Sequence, residues 1–161
     1  MGPVIVTALT EPTAGQLAGV AEVFDQYRRH YGQPVVAGQT LAWLSDHTSH
    51  RRLTVFAAHI GEDLAGLATA VALPASLRLG CSWQLRDLYV VPGARRRGIA
   101  RALVGTVCQA ATAAGAIRLS VQTEPSNIAA LQLYRTSGFA PVEDIQNPGV
   151  APLAPACVNR G

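Results

Sequence analysis

Residues 89–101 read YVVPGARRRGIAR, and this run joins an apolar strand to a helix through a Pro-Gly turn and three arginines. The first turn of an α-helix leaves backbone N–H groups unpaired and carries a partial positive charge, so it suits a bound anion. The small residues Gly98 and Ala100 allow an anion to approach the backbone closely. The run therefore predicts a phosphate-binding helix start that directly follows a strand.

The composition predicts one folded domain without a membrane span. Of the 161 residues, 49% are hydrophobic and 14% are charged, which is enough apolar material for one core. No run approaches the ~20 apolar residues of a membrane-spanning helix. The first ten residues lack the basic start and the long apolar run of a signal peptide. We therefore expect a soluble, cytoplasmic protein with no membrane partner.

The cysteines argue against a metal site, and the basic residues indicate a phosphate-bearing ligand. Cys81, Cys108 and Cys157 lie far apart without metal-ligand spacing, so we expect reduced thiols and no metal site. All 13 basic residues are arginines, and four of them fall within 95–101. Arginine binds phosphate through two parallel hydrogen bonds. Nucleic acid is one partner for such a cluster, but aromatic interleaving and a second basic stripe are missing, so a small polyphosphate ligand is favoured.

Hydrophobic periodicity predicts strands that alternate with amphipathic helices. Strands are predicted at 4–9, 54–60, 64–73, 83–91 and 117–121 and from Phe139 onward, with a loop at 74–80. Helices are predicted after Thr13 up to Tyr31, at 39–47, after Gly98 up to Ala114, and from Ser126 or Asn127 up to Gly138. The succession of strand, helix, strand, helix and strand over 83–142 is typical of an α/β unit.

A proline-rich segment follows this unit. Pro148, Pro152 and Pro155 remove backbone donors and fix φ. We therefore predict that a domain over 1–146 is followed by an irregular tail over 147–161.

Two motifs in the second half resemble those of the GNAT superfamily of N-acetyltransferases. Arg95, Gly98 and Ala100 have the spacing of the family's acetyl-CoA signature: Arg or Gln, two residues, Gly, one residue, Gly or Ala. The downstream family pattern is matched in order by Asn127, Ala130, Leu133, Tyr134, Gly138 and Phe139. Residues 27–32 and 83–90 also resemble a branch that contains histone and polyamine acetyltransferases.

The resemblance implies an α/β (α+β) fold with acetyl-CoA, or coenzyme A, as co-substrate. The implied fold is a single domain whose mixed central sheet has a V-shaped splay between its fourth and fifth strands, with helices on both faces. Backbone amides over 96–101 would hold the pyrophosphate, and 88–90 would pair with the pantetheine arm. The cofactor-binding residues so implied are Leu88, Tyr89, Val90, Arg95, Arg96, Arg97, Gly98, Ile99, Ala100, Arg101, Asn127 and Tyr134.

The resemblance also implies that Tyr134 protonates the departing thiolate, for which a phenol with a pKa near ~10 is suited. The general base is left open. Family members often place a carboxylate at the positions of Gln84 or Arg86, and neither residue can serve as one. Asp87 is adjacent but lies on the opposite strand face by simple alternation, so it would need a β-bulge. Glu124 and a water relay are the other options.

The acceptor is expected to be a small-molecule amine or a protein amine. Its site is expected between the two N-terminal helices and the loop after Leu73, with candidate wall residues Tyr27, Arg28, His30, Tyr31 and Trp43. A different class of function is a catalytically silent module that binds CoA or regulates. The prolines of 147–161 predict that the last family strand is short, supplied by a partner chain or absent, and an exposed sheet edge would favour a homodimer.

Overall fold

In residues 2–142 and 151–155, which the computed structural model describes, seven strands form one mixed sheet. The strands are β1 (Val4–Leu9), β2 (Thr54–Ile60), β3 (Asp63–Ala75), β4 (Gly80–Val90), β5 (Arg118–Thr123), β6 (Phe139–Pro141) and β7 (Ala151–Pro155). The helices are α1 (Ala14–His30), α2 (Gln39–Ser49), α3 (Ile99–Ala113) and α4 (Ile128–Thr136). The sheet order is β1-β2-β3-β4-β5-β7-β6, in which β4 and β5 are parallel and the other neighbours are antiparallel.

Helices cover both faces of the sheet, as predicted. Leu17 and Val20 of α1 and Leu44 of α2 pack with Val55 and Leu67 of the sheet in one buried cluster. A second cluster lies on the other face, under α3 and α4; it includes Phe56, Leu85, Leu103, Val107, Leu119 and Tyr134. The adjacent residues Phe56 and Val55 belong to different clusters because successive strand side chains point to opposite faces.

Helix α1 spans its predicted range, whereas α2 begins at Gln39 as predicted and continues to Ser49, beyond the predicted end at about 47. Thr13 caps α1: its Oγ1 accepts from the Gln16 amide at 3.2 Å, and Gln16 Oε1 accepts from the Thr13 amide at 2.9 Å. Arg28, Arg29 and His30 occupy the last turn of α1, where positive charge interacts favourably with the helix dipole. This turn brings polar side chains to the rim of the sheet.

The V-shaped splay between β4 and β5 is present. The two strands pair from Ser82 opposite Arg118 to Leu85 opposite Val121, and the pairing stops there. Residues 86–90 of β4 therefore have β3 on one side and no strand on the other. The backbone groups on that side are left for another partner.

A β-bulge lies at the point where β4 and β5 separate. On β3, Thr69 is opposite Asp87 and the next residue, Ala70, is opposite Leu85, so Arg86 is an extra residue in β4. A bulge turns two consecutive side chains to roughly the same face and bends the strand. The sequence predicts that a bulge is needed here but does not indicate its position.

The predicted loop at 74–80 is shorter than expected. The β3–β4 hairpin continues to Ala75 paired with Gly80, and a 3₁₀ turn over Ser76–Arg78 closes it. Pro74 is tolerated because β2 ends its pairing at Ala70, so this part of β3 has one neighbour and needs fewer donors.

The irregular tail is corrected for residues 151–155, which form β7. Each neighbour is paired over three residues, Ala151–Leu153 with β5 and Leu153–Pro155 with β6, so two missing proline N–H groups are tolerated. The last strand is thus short and lies within this chain, which removes the missing-strand argument for a homodimer. The homodimer stays a prediction, and the other tail residues lie outside the described part of the chain.

Candidate active site

A cavity of about 490 Å³ opens at the end of β4, and we call it the β4–α3 cavity. It is enclosed by the end of β4, the loop before α3, the first turn of α3 and the start of α4. Its walls include Leu88, Tyr89, Val90, Arg95, Arg96, Gly98, Ile99, Ala100, Arg101 and Asn127. Of the predicted cofactor residues, Arg97 and Tyr134 do not line this cavity.

The loop before α3 has the backbone conformation of an anion site. Arg96 has φ of 62° and Gly98 has φ of 79°, so two left-handed residues alternate with residues of negative φ or extended backbone. Gly98 is the N-cap of α3 and supplies no side-chain acceptor. The N–H groups of the first turn therefore point out of the helix without an acceptor in the described part of the chain.

Gly66 of β3 allows α3 to begin this close to the sheet. A Cβ at this position would lie 2.7 Å from the Tyr89 carbonyl oxygen and 3.3 Å from Ile99 Cγ2. Any side chain here would clash with the backbone of β4 and crowd the first turn of α3. In the sequence, Gly66 is one residue of a predicted strand. Only the contact between β3, β4 and α3 in the structure shows why this position has no side chain.

The arginines of the loop have different neighbours. Arg95 donates from Nε to the Val90 carbonyl at 3.1 Å, and its guanidinium lies 5.7 Å from the centre of the Tyr89 ring. Arg101 donates to Thr136 Oγ1 at 3.2 Å, which ties α3 to α4. Arg97 is exposed. Two of the four are thus held in place by the fold at the edge of the cavity.

Asn127 is both a helix cap and a cavity residue. Its Oδ1 accepts from the Ala130 amide at 3.1 Å, which caps α4. The side-chain NH₂ group donates no hydrogen bond within the described residues, and Asn127 lines the β4–α3 cavity. The capping role and a ligand-binding role are therefore compatible, since they use different atoms.

A second cavity of about 560 Å³, the α1–α2 cavity, lies between α1, α2 and the bulge of β4. It is lined by Phe24, Tyr27, Arg28, Gln39, Thr40, Trp43, His47, Arg52, Leu53, Val71, Arg86 and Asp87. Three predicted acceptor-wall residues, Tyr27, Arg28 and Trp43, are among them. The other two, His30 and Tyr31, line the β4–α3 cavity instead.

Asp87 faces the α1–α2 cavity because of the bulge. Leu85 points into the core under α3, and simple alternation would send Asp87 there as well. The extra residue Arg86 returns Asp87 to the other face, where its carboxylate accepts from the Tyr27 hydroxyl at 3.0 Å and from the Thr69 hydroxyl. Thr69 is fully buried in β3. Two donors on different elements thus fix the orientation of this carboxylate.

Aromatic rings separate the two cavities. The Tyr27 ring lies 5.2 Å from Tyr31 and 5.8 Å from Tyr89, centre to centre. Tyr27 lines one cavity, and Tyr31 and Tyr89 line the other. Burial, helped by the neighbouring Asp87, raises the pKa of the Tyr27 phenol well above its usual range.

Tyr134 of α4 lies behind this wall. Its side chain is 5% exposed and its ring packs 5.6 Å from that of Phe139. Burial, with a smaller contribution from Tyr31, raises the pKa of Tyr134 to about 12. Tyr134 lines neither cavity, and its hydroxyl makes no hydrogen bond within the described residues.

The other proposed base lies elsewhere. Glu124 is exposed after β5, accepts from Ser126 Oγ at 3.5 Å and lines neither cavity. Sequence reasoning missed Thr69, His47 and Arg52 as site residues. Only Thr69 carried a signal, since it is a polar residue inside the apolar run of β3.

Two further observations concern metals and membranes. Within the described ranges, no three side chains of His, Cys, Asp or Glu come together as a metal-binding group. None of the helices in the same ranges is both long and apolar enough to cross a bilayer. Neither Cys81 nor Cys108 forms a disulfide within the described part of the chain.

Two sequence comparisons show which known proteins this chain resembles. The family model described as the acetyltransferase (GNAT) family matches residues 17–139. An uncharacterized N-acetyltransferase of Bacillus subtilis (strain 168), YhfO, is 29% identical over 122 residues, which cover 76% of this chain and 82% of that protein.

Solved structures share the fold over nearly the whole chain. A crystal structure of a probable acetyltransferase superposes with a TM-score of 0.78 at 26% identity and covers 91% of this chain and 94% of its own. An aminoglycoside acetyltransferase from an uncultured soil metagenomic sample, in complex with trehalose, superposes with a TM-score of 0.75 at 18% identity, covering 88% and 91%. The second likeness shows the fold alone.

Proposed function

The chain belongs to the acetyltransferase (GNAT) family, and we propose that it moves an acetyl group from acetyl-CoA to a primary amine. The observation that carries the proposal is the pair of cavities, which meet at a wall of tyrosines with Asp87 on one side and the α3 helix start on the other. One cavity suits a phosphate-bearing donor, and the other suits an amine.

The β4–α3 cavity has features that suit both the pyrophosphate and the extended arm of coenzyme A. The first-turn amides of α3, beside Arg96 and Arg101, suit a pyrophosphate. The side of β4 at 86–90 that lacks a strand neighbour suits the amide groups of an extended arm. Acetyl-CoA would supply the activated acetyl group as a thioester.

Asp87, beside the tyrosine wall, and Tyr134, behind it, have complementary proton roles in this proposal. An incoming ammonium must lose a proton before its lone pair can attack, and Asp87 is the carboxylate positioned to accept that proton. Tyr134, protonated at neutral pH, donates a proton to the departing thiolate. The acetyl group passes directly to the amine without a covalent enzyme intermediate.

The proposal is tested by measuring CoA release from acetyl-CoA against a panel of primary amines. Amine-dependent release, with the matching N-acetylated product identified by mass spectrometry, is the expected result. Release that does not depend on any amine would contradict the proposal. Binding of CoA without turnover on any amine would instead favour a silent CoA-binding or regulatory module.

A nucleic-acid role for the arginine cluster predicts a different result. DNA binding through Arg95–Arg101 would weaken steeply with salt. If CoA competes with that binding, the cluster serves the cofactor. Arg95, Arg96 and Arg101 line the β4–α3 cavity, which favours the cofactor role.

We also propose a cytoplasmic location. Cys81 and Cys108 are not joined in a disulfide within the described ranges, which suits a reducing compartment. Fractionation of cells that produce the tagged protein tests this location directly.

A further inference from the structure

The bulge places two adjacent, oppositely charged side chains in one cavity. In a regular strand, Arg86 and Asp87 would point to opposite faces of the sheet. Here both line the α1–α2 cavity, while Leu85 before them and Leu88 after them pack toward the core under α3. A positive and a negative group are thereby presented to the same occupant.

The other charges around this cavity are already paired. Arg28 donates to Asp25 at 3.3 Å and to Thr40 at 3.3 Å. Arg52 forms an ion pair with Asp46 at 3.1 Å. These two lining cations are therefore largely balanced by carboxylates of α1 and α2.

Arg86 differs from them. Its guanidinium donates to the neutral Gln84 Oε1 at 3.2 Å, and no carboxylate of the described residues forms an ion pair with it. Asp87 forms no ion pair with it, and the Asp87 carboxylate instead accepts from the hydroxyls of Tyr27 and Thr69. Arg86 thus has an unmatched positive charge at the cavity wall.

We infer that the acceptor is a small amine that also carries an oxyanion, a carboxylate or a phosphate. Arg86 binds the oxyanion, and Asp87 receives the amine. A guanidinium binds either oxyanion through two parallel hydrogen bonds. The inference rests on the proposed acetyl transfer and names the substrate class for it.

The shape and the remaining walls agree with a compact, zwitterionic acceptor. A volume of about 560 Å³ suits a small molecule. Phe24 and Trp43, stacked with ring centres 6.0 Å apart, provide an apolar wall for the carbon part of such a molecule. A polycationic amine would bring additional positive charge toward Arg86, whose own charge is not paired with a carboxylate of the described residues. The cavity therefore disfavours polyamines and aminoglycosides.

The test compares matched amines on the wild-type protein and on Arg86→Gln. The panel contains an α-amino acid, the amide of the same amino acid, an aminoalkyl phosphonate, a diamine and an aminoglycoside. Steady-state CoA release gives kcat and KM for each. Calorimetry with CoA present gives the Kd of each amine without turnover.

Arg86→Gln is expected to weaken the binding of amines that carry an oxyanion and to spare the others. Arg86→Gln should raise KM and Kd for the carboxylate and phosphonate amines about ten- to hundredfold, since charged hydrogen bonds are lost. KM for the amide should change little, and Arg86→Lys should restore part of the loss. Arg118→Gln, which removes an exposed β5 arginine outside both cavities, is the matched control and should leave all values unchanged.

The outcomes separate this inference from the proposed function. Turnover with no dependence on Arg86, or a preference for the diamine or aminoglycoside, overturns the inference and leaves acetyl transfer intact. Binding of oxyanionic amines that depends on Arg86, without any turnover, supports the recognition site and overturns acetyl transfer. If neither turnover nor Arg86-dependent binding is found, both are wrong. The amino acid and phosphonate arms distinguish the two oxyanions.

Discussion

The two cavities on either side of the tyrosine wall are built in different ways. The β4–α3 cavity is made largely of backbone: a strand side without a neighbour, a loop with left-handed residues and a helix start. The α1–α2 cavity is made of side chains from two helices, two strands and the loop before β2. A backbone site is tied to one ligand shape, whereas a side-chain site can change its ligand by substitution.

Tyr134→Phe is expected to have the largest effect on the shared chemistry. Removal of a general acid typically lowers the rate about 10²–10⁴-fold, and kcat should fall by that order while CoA binding stays the same. Because the pKa of Tyr134 is raised to about 12, the phenol stays protonated through the neutral range. The wild-type pH profile should therefore show no alkaline limb from this group below about pH 11. Activity retained at every pH would remove Tyr134 from the mechanism.

Asp87→Asn tests the side-chain cavity. We expect kcat to fall about 100-fold near neutral pH, because the ammonium loses its acceptor. The defect should shrink as the pH rises toward the amine's own pKa, since the free amine then needs no base. Tyr27→Phe, which removes one donor to Asp87, should produce a smaller change in the same direction. A defect that stays constant with pH would indicate that Asp87 is structural.

Gly98→Ala tests the backbone cavity. Alanine is strained at φ of 79°, by about 1–2 kcal/mol, although a Cβ there would touch nothing within 4 Å. The start of α3 should shift, and the Kd for CoA measured by calorimetry should rise about tenfold. Gly93→Ala is the control, because Gly93 lies in the same loop, has open space around it and lacks a positive φ. Equal Kd values for the two variants would contradict the role given to the loop.

The smallest expected effect concerns the contribution of Tyr134 to stability at alkaline pH. A raised phenol pKa means that the folded state holds its proton more tightly than the unfolded chain. The stability from Tyr134 is therefore complete below pH ~10 and is lost as the pH rises toward about 12. Urea unfolding should show a loss of roughly 1.4 kcal/mol per pH unit from this group in that window. Tyr134→Phe should flatten the dependence, and an unchanged slope would contradict the assigned burial.

The difference between the cavities also explains what the sequence could predict. The β4–α3 cavity is encoded largely in adjacent residues, and the run around Arg95, Gly98 and Ala100 predicts the anion-binding helix start that forms one of its walls. The α1–α2 cavity depends on where β4 gains a residue relative to β3, and this register is fixed by long-range pairing. Thr69, Tyr27 and Asp87 meet only after that pairing is set.

The same contrast between local and long-range information applies to the predicted strands. Periodicity gave β1 and β2 with their observed bounds, because their apolar faces and turn residues are local features. The full length of the β3–β4 hairpin and the strand β7 were not predicted. A sequence-based prediction can weigh each proline only by its local backbone preference. Whether a missing donor matters depends on the neighbouring strand, which lies far away in sequence.

The separation of β4 from β5 has a consequence for how the protein behaves at high concentration. A strand side without a neighbour normally recruits another chain and seeds aggregation. In this sheet the unpaired side of 86–90 faces the gap between β4 and β5, in the middle of the sheet. It does not lie on the edge strands β1 or β6. A slender ligand can enter that gap, whereas a second folded chain meets β5 first. The protein thus keeps backbone groups free for binding without offering them to its own copies.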